Sequence, residues 1–226
     1  MSQYSPDNLF DLKGFEHKSV FDNCSYAWEV LPKISDYLSN YPLGKIECDI
    51  PDGVIIIDPH LVSIGTETVL EPGSYIKGPC IIGKGCFVRH GAYIRGNLIA
   101  GDRCVIGHTT EVKNCIMMNH AQAAHFAYLG DSVLGNNVNL GAGTKCANLK
   151  LDNRSVSVYL NGERVDTGLR KFGAILGDSV QTGCNCVTNP GTIMGKGACC
   201  YPCTNFGGYI PPGEIVKGNT ILKKVQ

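Results

Sequence analysis

Apolar residues recur at every sixth position through the middle of the chain. Stepping from Ile64 gives Leu70, Ile76, Ile82, Val88, Ile94, Ala100, Ile106, Val112, Met118 and Ala124, and all eleven are apolar. At 43% apolar composition, a fixed frame meets such a run by chance about once in ten thousand. Four places after these residues the chain carries mostly small side chains, among them Thr68, Ser74, Cys80, Cys86, Ala92, Cys104 and Thr110. Gly65, Gly83, Gly101 and Gly107 follow their apolar residues directly. A period of six is neither the 3.6 of a helix nor the 2 of a half-buried strand. It is the hexapeptide signature of a parallel β-helix, in which each unit is one short strand and one turn. Three such hexads close a triangular coil, and coils stack at the strand spacing of ~4.8 Å. No coil covers its own apolar corners; the next coil does. The expected fold is therefore all-β.

The frame slips between Ala124 and Tyr128, which predicts an external loop near residues 118–127. A new frame runs through Tyr128, Leu134 and Leu140 and resumes at Leu176, Thr182, Thr188, Met194, Cys200 and Phe206. Between these stretches, residues 147–172 break the repeat. Inside the break, Val156, Val158 and Leu160 alternate up to Asn161-Gly162, a strong hairpin signal. A β-hairpin excursion near 149–170 is expected. Residues 1–45 do not repeat. Ser5-Pro6-Asp7 reads as a helix start. Trp28, Leu31, Ile34, Leu38 and Tyr41 form an apolar stripe at helical spacing, with Pro32 placed to kink or delay the helix. This divides the chain into a helical N-terminal cap (1–45), expected to cover the first coil, and the β-helix (46–226).

Composition narrows the function. Twenty basic and twenty acidic side chains leave no net charge, which argues against a nucleic-acid binder that works by bulk attraction to phosphate. No apolar run reaches the roughly 18 residues that a membrane span needs, and the first ten residues lack a secretory pattern. A cytoplasmic protein with its 12 cysteines mostly reduced is expected. Cys184-x-Cys186 with Cys199-Cys200-x-x-Cys203 could be read as a metal site. However, Cys80, Cys86, Cys104 and Cys186 fill the small slot of the repeat and Cys200 an apolar corner, so buried packing accounts for them and no metal is expected.

Arg95 and Lys113 each follow an apolar corner and are separated by one full coil. They should share a wall about one strand spacing apart, where an anion such as phosphate would relieve their repulsion. Two solvated cations would show the same spacing. His125 and Tyr128 sit at the frame slip, where a histidine with a pKa near neutrality could act as a general base or simply pack. His90 and His108 are also one coil apart and should stack.

The stretch HFAYLGDSVLGNNVNLGAGTKCAN, with IRGN and EVKN before it, resembles the acetyltransferase domain of bifunctional N-acetylglucosamine-1-phosphate uridyltransferases. CANLKLDN and DTGLRKFGAILGD are similar to the archaeal-type sugar-1-phosphate nucleotidyltransferase/acetyltransferase branch. The resemblance spans roughly residues 50–215. It implies a left-handed β-helix and a homotrimer with sites between subunits. It also implies acetyl transfer from acetyl-CoA to the amine of glucosamine-1-phosphate, feeding UDP-N-acetylglucosamine synthesis. Carried over by motif, His125 is the general base and Asn148 lies near the reacting amine. Arg95 and Lys113 hold the sugar phosphate, with Tyr128 and Asn139 as further sugar-phosphate contacts. Arg154 stands where the family commonly has Lys, and the archaeal-type Lys three residues on is Ser157. Cys184 stands where a serine near CoA is common, and Pro202 is expected on the same cofactor side. His120 and His125 have the five-residue spacing used for zinc by γ-class carbonic anhydrases, but the third ligand's position is Lys84. Residues 1–45 carry no Gly-rich nucleotide loop, so uridylyl transfer is not expected. Alternatives are a different amino-sugar acceptor, and a non-catalytic scaffold or sugar-nucleotide-binding protein.

Overall fold

The computed structural model describes residues 2–160, 162–218 and 220–223. The protein is mostly β, a parallel β-helix of the left-handed, hexapeptide-repeat class with few and short helices. One face of the prism stacks eight parallel strands, which begin at Ile55–Ile57, Tyr75–Lys77 and Tyr93–Ile94 and end at Asn205–Phe206. This first face and the second belong to one continuous sheet, and the third face forms another. Registers such as Ile76↔Ile94, Ile64↔Ile82 and Leu70↔Val88 advance by three hexads, as the repeat requires. The inward column is fully buried: Ile76, Ile94 and Val112 on the first face, Ile64 and Ile82 on the second, and Val88 and Ile106 on the third. Cys80, Cys86, Cys104, Cys186 and Cys200 are buried within the same interior cluster.

The frame slip takes a different form from the expected loop. Val112 pairs with Leu129, and Leu129 with Cys146, so each of these two successive coils falls a single residue short of three hexads. The missing residue lies at the corner between the first and second faces. There, Arg95-Gly96-Asn97 separates Ile94 from Leu98, but only Lys113-Asn114 separates Val112 from Cys115. The chain therefore runs through this corner as single strands, Glu111–Met117 and Tyr128–Leu134. Residues 118–127 form no external loop, since Gln122–His125 pairs on the third face. Met117, Ala123 and Leu129 point inward where the hexad count put Met118, Ala124 and Tyr128. Met118 is also buried, but outward, beneath the N-terminal segment.

The hairpin forms as Ser157–Leu160 against Glu163–Asp166, antiparallel. Asn161 of the turn signal lies outside the described residues; Gly162 takes a left-handed conformation at φ +87°. Ahead of the β-helix, Pro6–Leu9 begins at Ser5 with Pro6 in its first turn. Pro32 caps the helix Lys33–Ser39, which leaves Trp28 in a preceding 3-10 turn. The apolar stripe does not cap the first coil. Trp28, Leu31, Ile34 and Leu38, with Phe10, Phe15 and Phe21, pack on the outer side of the second face. They cover Ile81, Ile99, Ile116, Val133, Ile175 and Ile193, a register column through successive coils. The physical reason is that this column is apolar on its outer side, and a strand apolar on both sides must be covered on both. The first coil continues upward instead, through a bridge from Ile64 to Ile46.

Candidate functional site

The shortened corner gathers several of the candidate residues. Register places Arg95 beside Lys113 on one wall, with the Arg95 amide donating to the Val112 carbonyl at 2.9 Å. Each cation meets a carboxylate. Arg95 Nη1 lies 2.6 Å from Glu111 Oε1 at the surface, and Lys113 Nζ lies 3.2 Å from Asp131 Oδ2. The second pair is more enclosed, with side-chain exposures of 20% and 7%. Asp131 also accepts from Asn114 Nδ2 at 2.9 Å and from Asn148 Nδ2 at 2.5 Å. Tyr128 Oη donates to Asn148 Oδ1 at 3.5 Å. Burial, and then the charges of Glu111 and Asp131, push the Tyr128 pKa up, so the phenol remains a neutral donor. Gly130 follows Lys113 in the column and leaves the space in which Asn148 and Tyr128 meet. A Cβ there would come within 2.5 Å of Asn148 Nδ2 and 2.7 Å of Tyr128 Oη.

His125 stands at the opposite end of the same strands, on the corner between the third and first faces. It pairs in register with His108, whose ring stacks on His90 at 5.8 Å and 18°. His90 Nδ1 lies 2.7 Å from the Pro72 carbonyl, and His108 Nδ1 lies 3.1 Å from the His90 carbonyl. In each case the ring nitrogen donates and the carbonyl accepts. His125 is exposed, and its carbonyl accepts from Gly143 N at 3.0 Å. The corner continues through Asn185 N donating to Ala142 O (2.7 Å) and Cys203 N to Cys184 O (2.8 Å). Cys184 and Pro202 thus lie along the His125 edge.

Two candidates are not gathered within one chain. Asn139 pairs with Gln122 and Gln181 on the third face, away from Lys113. Arg154 is exposed on the excursion, its amide donating to Asp152 Oδ1 at 3.0 Å. Among the described residues, no three His, Cys, Asp or Glu side chains are grouped to hold a metal ion. Asp131, Glu111 and Asn114 did not emerge from the sequence. Asp131 lies three hexads after Lys113, but the shortened coil moves it one place off the Lys113 column and onto the corner itself.

These features define a hexapeptide-repeat β-helix protein with a polar corner site. Residues 76–198 match the family model of the GMPPB C-terminal domain, and the chain belongs to that family. It is similar to the bifunctional sugar-1-phosphate nucleotidylyltransferase/acetyltransferase of Sulfurisphaera tokodaii, 39% identical over 109 residues, covering 48% of this chain and 27% of that protein. It is also similar to the bifunctional protein GlmU of Methanococcus aeolicus, 33% identical over 186 residues, covering 82% of this chain and 44% of that protein. The matched region is thus less than half of either relative. Among solved structures, Arabidopsis UDP-N-acetylglucosamine acyltransferase aligns with a TM-score of 0.48 at 12% identity, covering 78% of this chain and 70% of that one.

Proposed function

We propose that the chain transfers an acetyl group from acetyl-CoA to the amine of a hexosamine-1-phosphate, glucosamine-1-phosphate foremost, in the supply of UDP-N-acetylglucosamine. The observation that carries this is the shared wall of Arg95 and Lys113 at a corner that also holds Tyr128 and Asn148. Two cations one strand spacing apart suit a phosphate, which adds oxygens that both can bond. The acetyltransferase in the name of the Sulfurisphaera tokodaii relative supports the reaction type; the nucleotidyl transfer in that name is not proposed for this chain.

With its phosphate at this corner, the sugar runs back along the first face toward His125. The chain turns the corner between them at Phe126, whose φ is +52°, and Tyr128 opens the strand that leads to Gly130. His125 takes a proton from the acceptor ammonium, directly or through water. The freed lone pair attacks the thioester carbonyl, a C–N bond forms, the C–S bond breaks, and a second nitrogen proton passes to the departing sulfur, so that CoA leaves as its thiol. Fixing amine and thioester together lowers the barrier chiefly by removing the entropy of encounter. Acetyl-CoA then lies along Cys184 and Pro202 on the His125 edge. Asn139 and Arg154 complete the site in a homotrimer whose sites lie between subunits, and the transfer requires no metal.

A thiol-release assay with acetyl-CoA and a panel of amino-sugar phosphates tests this. Glucosamine-1-phosphate should give the fastest release, and no release with any acceptor discards the proposal. H125A should lose about 10²–10⁴-fold in turnover with an unchanged circular dichroism spectrum. A second reading, sugar-phosphate binding without transfer, is favoured by the placement of His125 at the opposite corner from Lys113. Binding of the sugar phosphate by calorimetry with no thiol release selects it.

A further inference from the structure

We propose that Asp131 is the positioning residue of this site: it fixes the Lys113 ammonium and turns the Asn148 amide so that its carbonyl, not its NH₂, faces the acceptor. The inference rests on the acetyl-transfer reading. Its ground is the environment of one carboxylate. Asp131 is only 5% exposed. A buried carboxylate persists when donors surround it, and this one has three: Lys113 Nζ at 3.2 Å, Asn114 Nδ2 at 2.9 Å and Asn148 Nδ2 at 2.5 Å.

The orientation of Asn148 follows from hydrogen-bond chemistry. An ionised carboxylate only accepts, so the amide must turn its NH₂ toward Asp131. Asn148 Oδ1 is then the atom that meets the Tyr128 hydroxyl, at 3.5 Å. An acceptor amine brings N–H groups to this place. A carbonyl there accepts one of them and leaves the nitrogen lone pair free for the thioester, whereas an NH₂ would oppose it donor to donor. Lys113 keeps two of its three N–H donors for phosphate while Asp131 holds the third.

The short corner builds this arrangement. Asp131 and Asn114 adopt left-handed backbone at φ +49° and +48°, conformations that Asp and Asn tolerate better than most residues. The Asn114 amide also approaches the Leu31 carbonyl at 3.5 Å, which ties the carboxylate cluster to the N-terminal segment.

D131N is the discriminating variant, because Asn accepts the same backbone conformation. Its amide cannot receive all three donors, and its own NH₂ forces Asn148 to rotate. The expected result is a fall in kcat of about 30-fold and a rise in KM for glucosamine-1-phosphate of about 5-fold, with KM for acetyl-CoA within about 2-fold of the wild type. A merely structural role would move both KM values together or neither. In the same samples, amine labelling of Lys113 by an N-hydroxysuccinimide ester, read by peptide mass spectrometry, should be about 10-fold slower than that of Lys77 in the wild type. It should accelerate in D131N. Wild-type kinetics in D131N overturn this inference and leave the acetyl-transfer reading standing. A wild-type chain that releases no thiol with any acceptor overturns both. If D131N does not fold, equal labelling of Lys113 and Lys77 in the wild type overturns the role of Asp131.

Discussion

At the level of single residues, the corner depends as much on absent atoms as on charged ones. Gly130 occupies the column that carries Arg95 and Lys113 in the coils before it, and its missing side chain is the space shared by Asn148 and Tyr128. G130A should therefore reduce acetyl transfer about 10-fold or more by displacing those two groups. The β-helix melt should change little, since Gly130 is not among the positive-φ glycines. Thiol-release kinetics beside a thermal melt check this, and equal activity would show that the pair does not need its present spacing. His17 supplies a prediction about pH. It is 3% exposed, bonds the Tyr37 hydroxyl through Nδ1 at 3.0 Å, and meets Phe15, Tyr37 and Tyr41 edge-on. Burial holds its pKa below the ordinary value of 6.5, against weaker opposing effects from Glu16 and Asp102. In the unfolded chain His17 gains a proton as pH falls through about 6.5, while the folded chain resists. Its contribution is complete above that pH and declines as pH drops toward the lowered folded value. Melting temperature should fall as pH is lowered from about 7.5 to about 5.5, and H17Q should flatten that slope.

Among the elements, the second face shows what was legible and what was not. The six-residue apolar step defined the coils because each inward residue is buried by its neighbours above and below. The slip was misplaced because Met118 is apolar for another reason, its contact with the N-terminal segment. Hydrophobicity alone cannot distinguish a side chain facing the interior from one beneath a covering segment. With the slip expected at 124–128 instead of at the corner 113–114, the alignment of Asp131 with Asn114, next to Lys113, stayed hidden. A signal for the covered flank does exist: Cys80-Ile81-Ile82, Leu98-Ile99-Ala100 and Cys115-Ile116-Met117 are apolar on both sides of their strands. The corner between Lys113 and Asn114 can be tested as an element. A single-residue insertion there restores a coil of three full hexads. It should abolish acetyl transfer while retaining the β-sheet circular dichroism signal. Retained activity would show that the short coil is incidental. On the flank, I116A should lower unfolding stability by about 2–4 kcal/mol in urea titrations, the usual cost of emptying a fully buried isoleucine site.

For the molecule as a whole, the N-terminal segment changes how a repeat array is expected to behave. Stacked repeats that touch only their neighbours can fray from either end. Here one segment grips a column from Ile81 to Ile193, and Asp178 on a later coil accepts the Asp11 amide at 2.6 Å. The single tryptophan, Trp28, lies in that segment. Its fluorescence should therefore change in the same denaturant transition as the circular dichroism of the coils. An earlier fluorescence transition would show that the segment detaches by itself. The grip also works as a ruler. A tape of fixed length laid along identical rungs can match only one number of them, so an extra turn slipped in by duplication would leave its anchors out of step. In this protein the number of turns from Ile81 to Ile193 is matched to the segment laid across them.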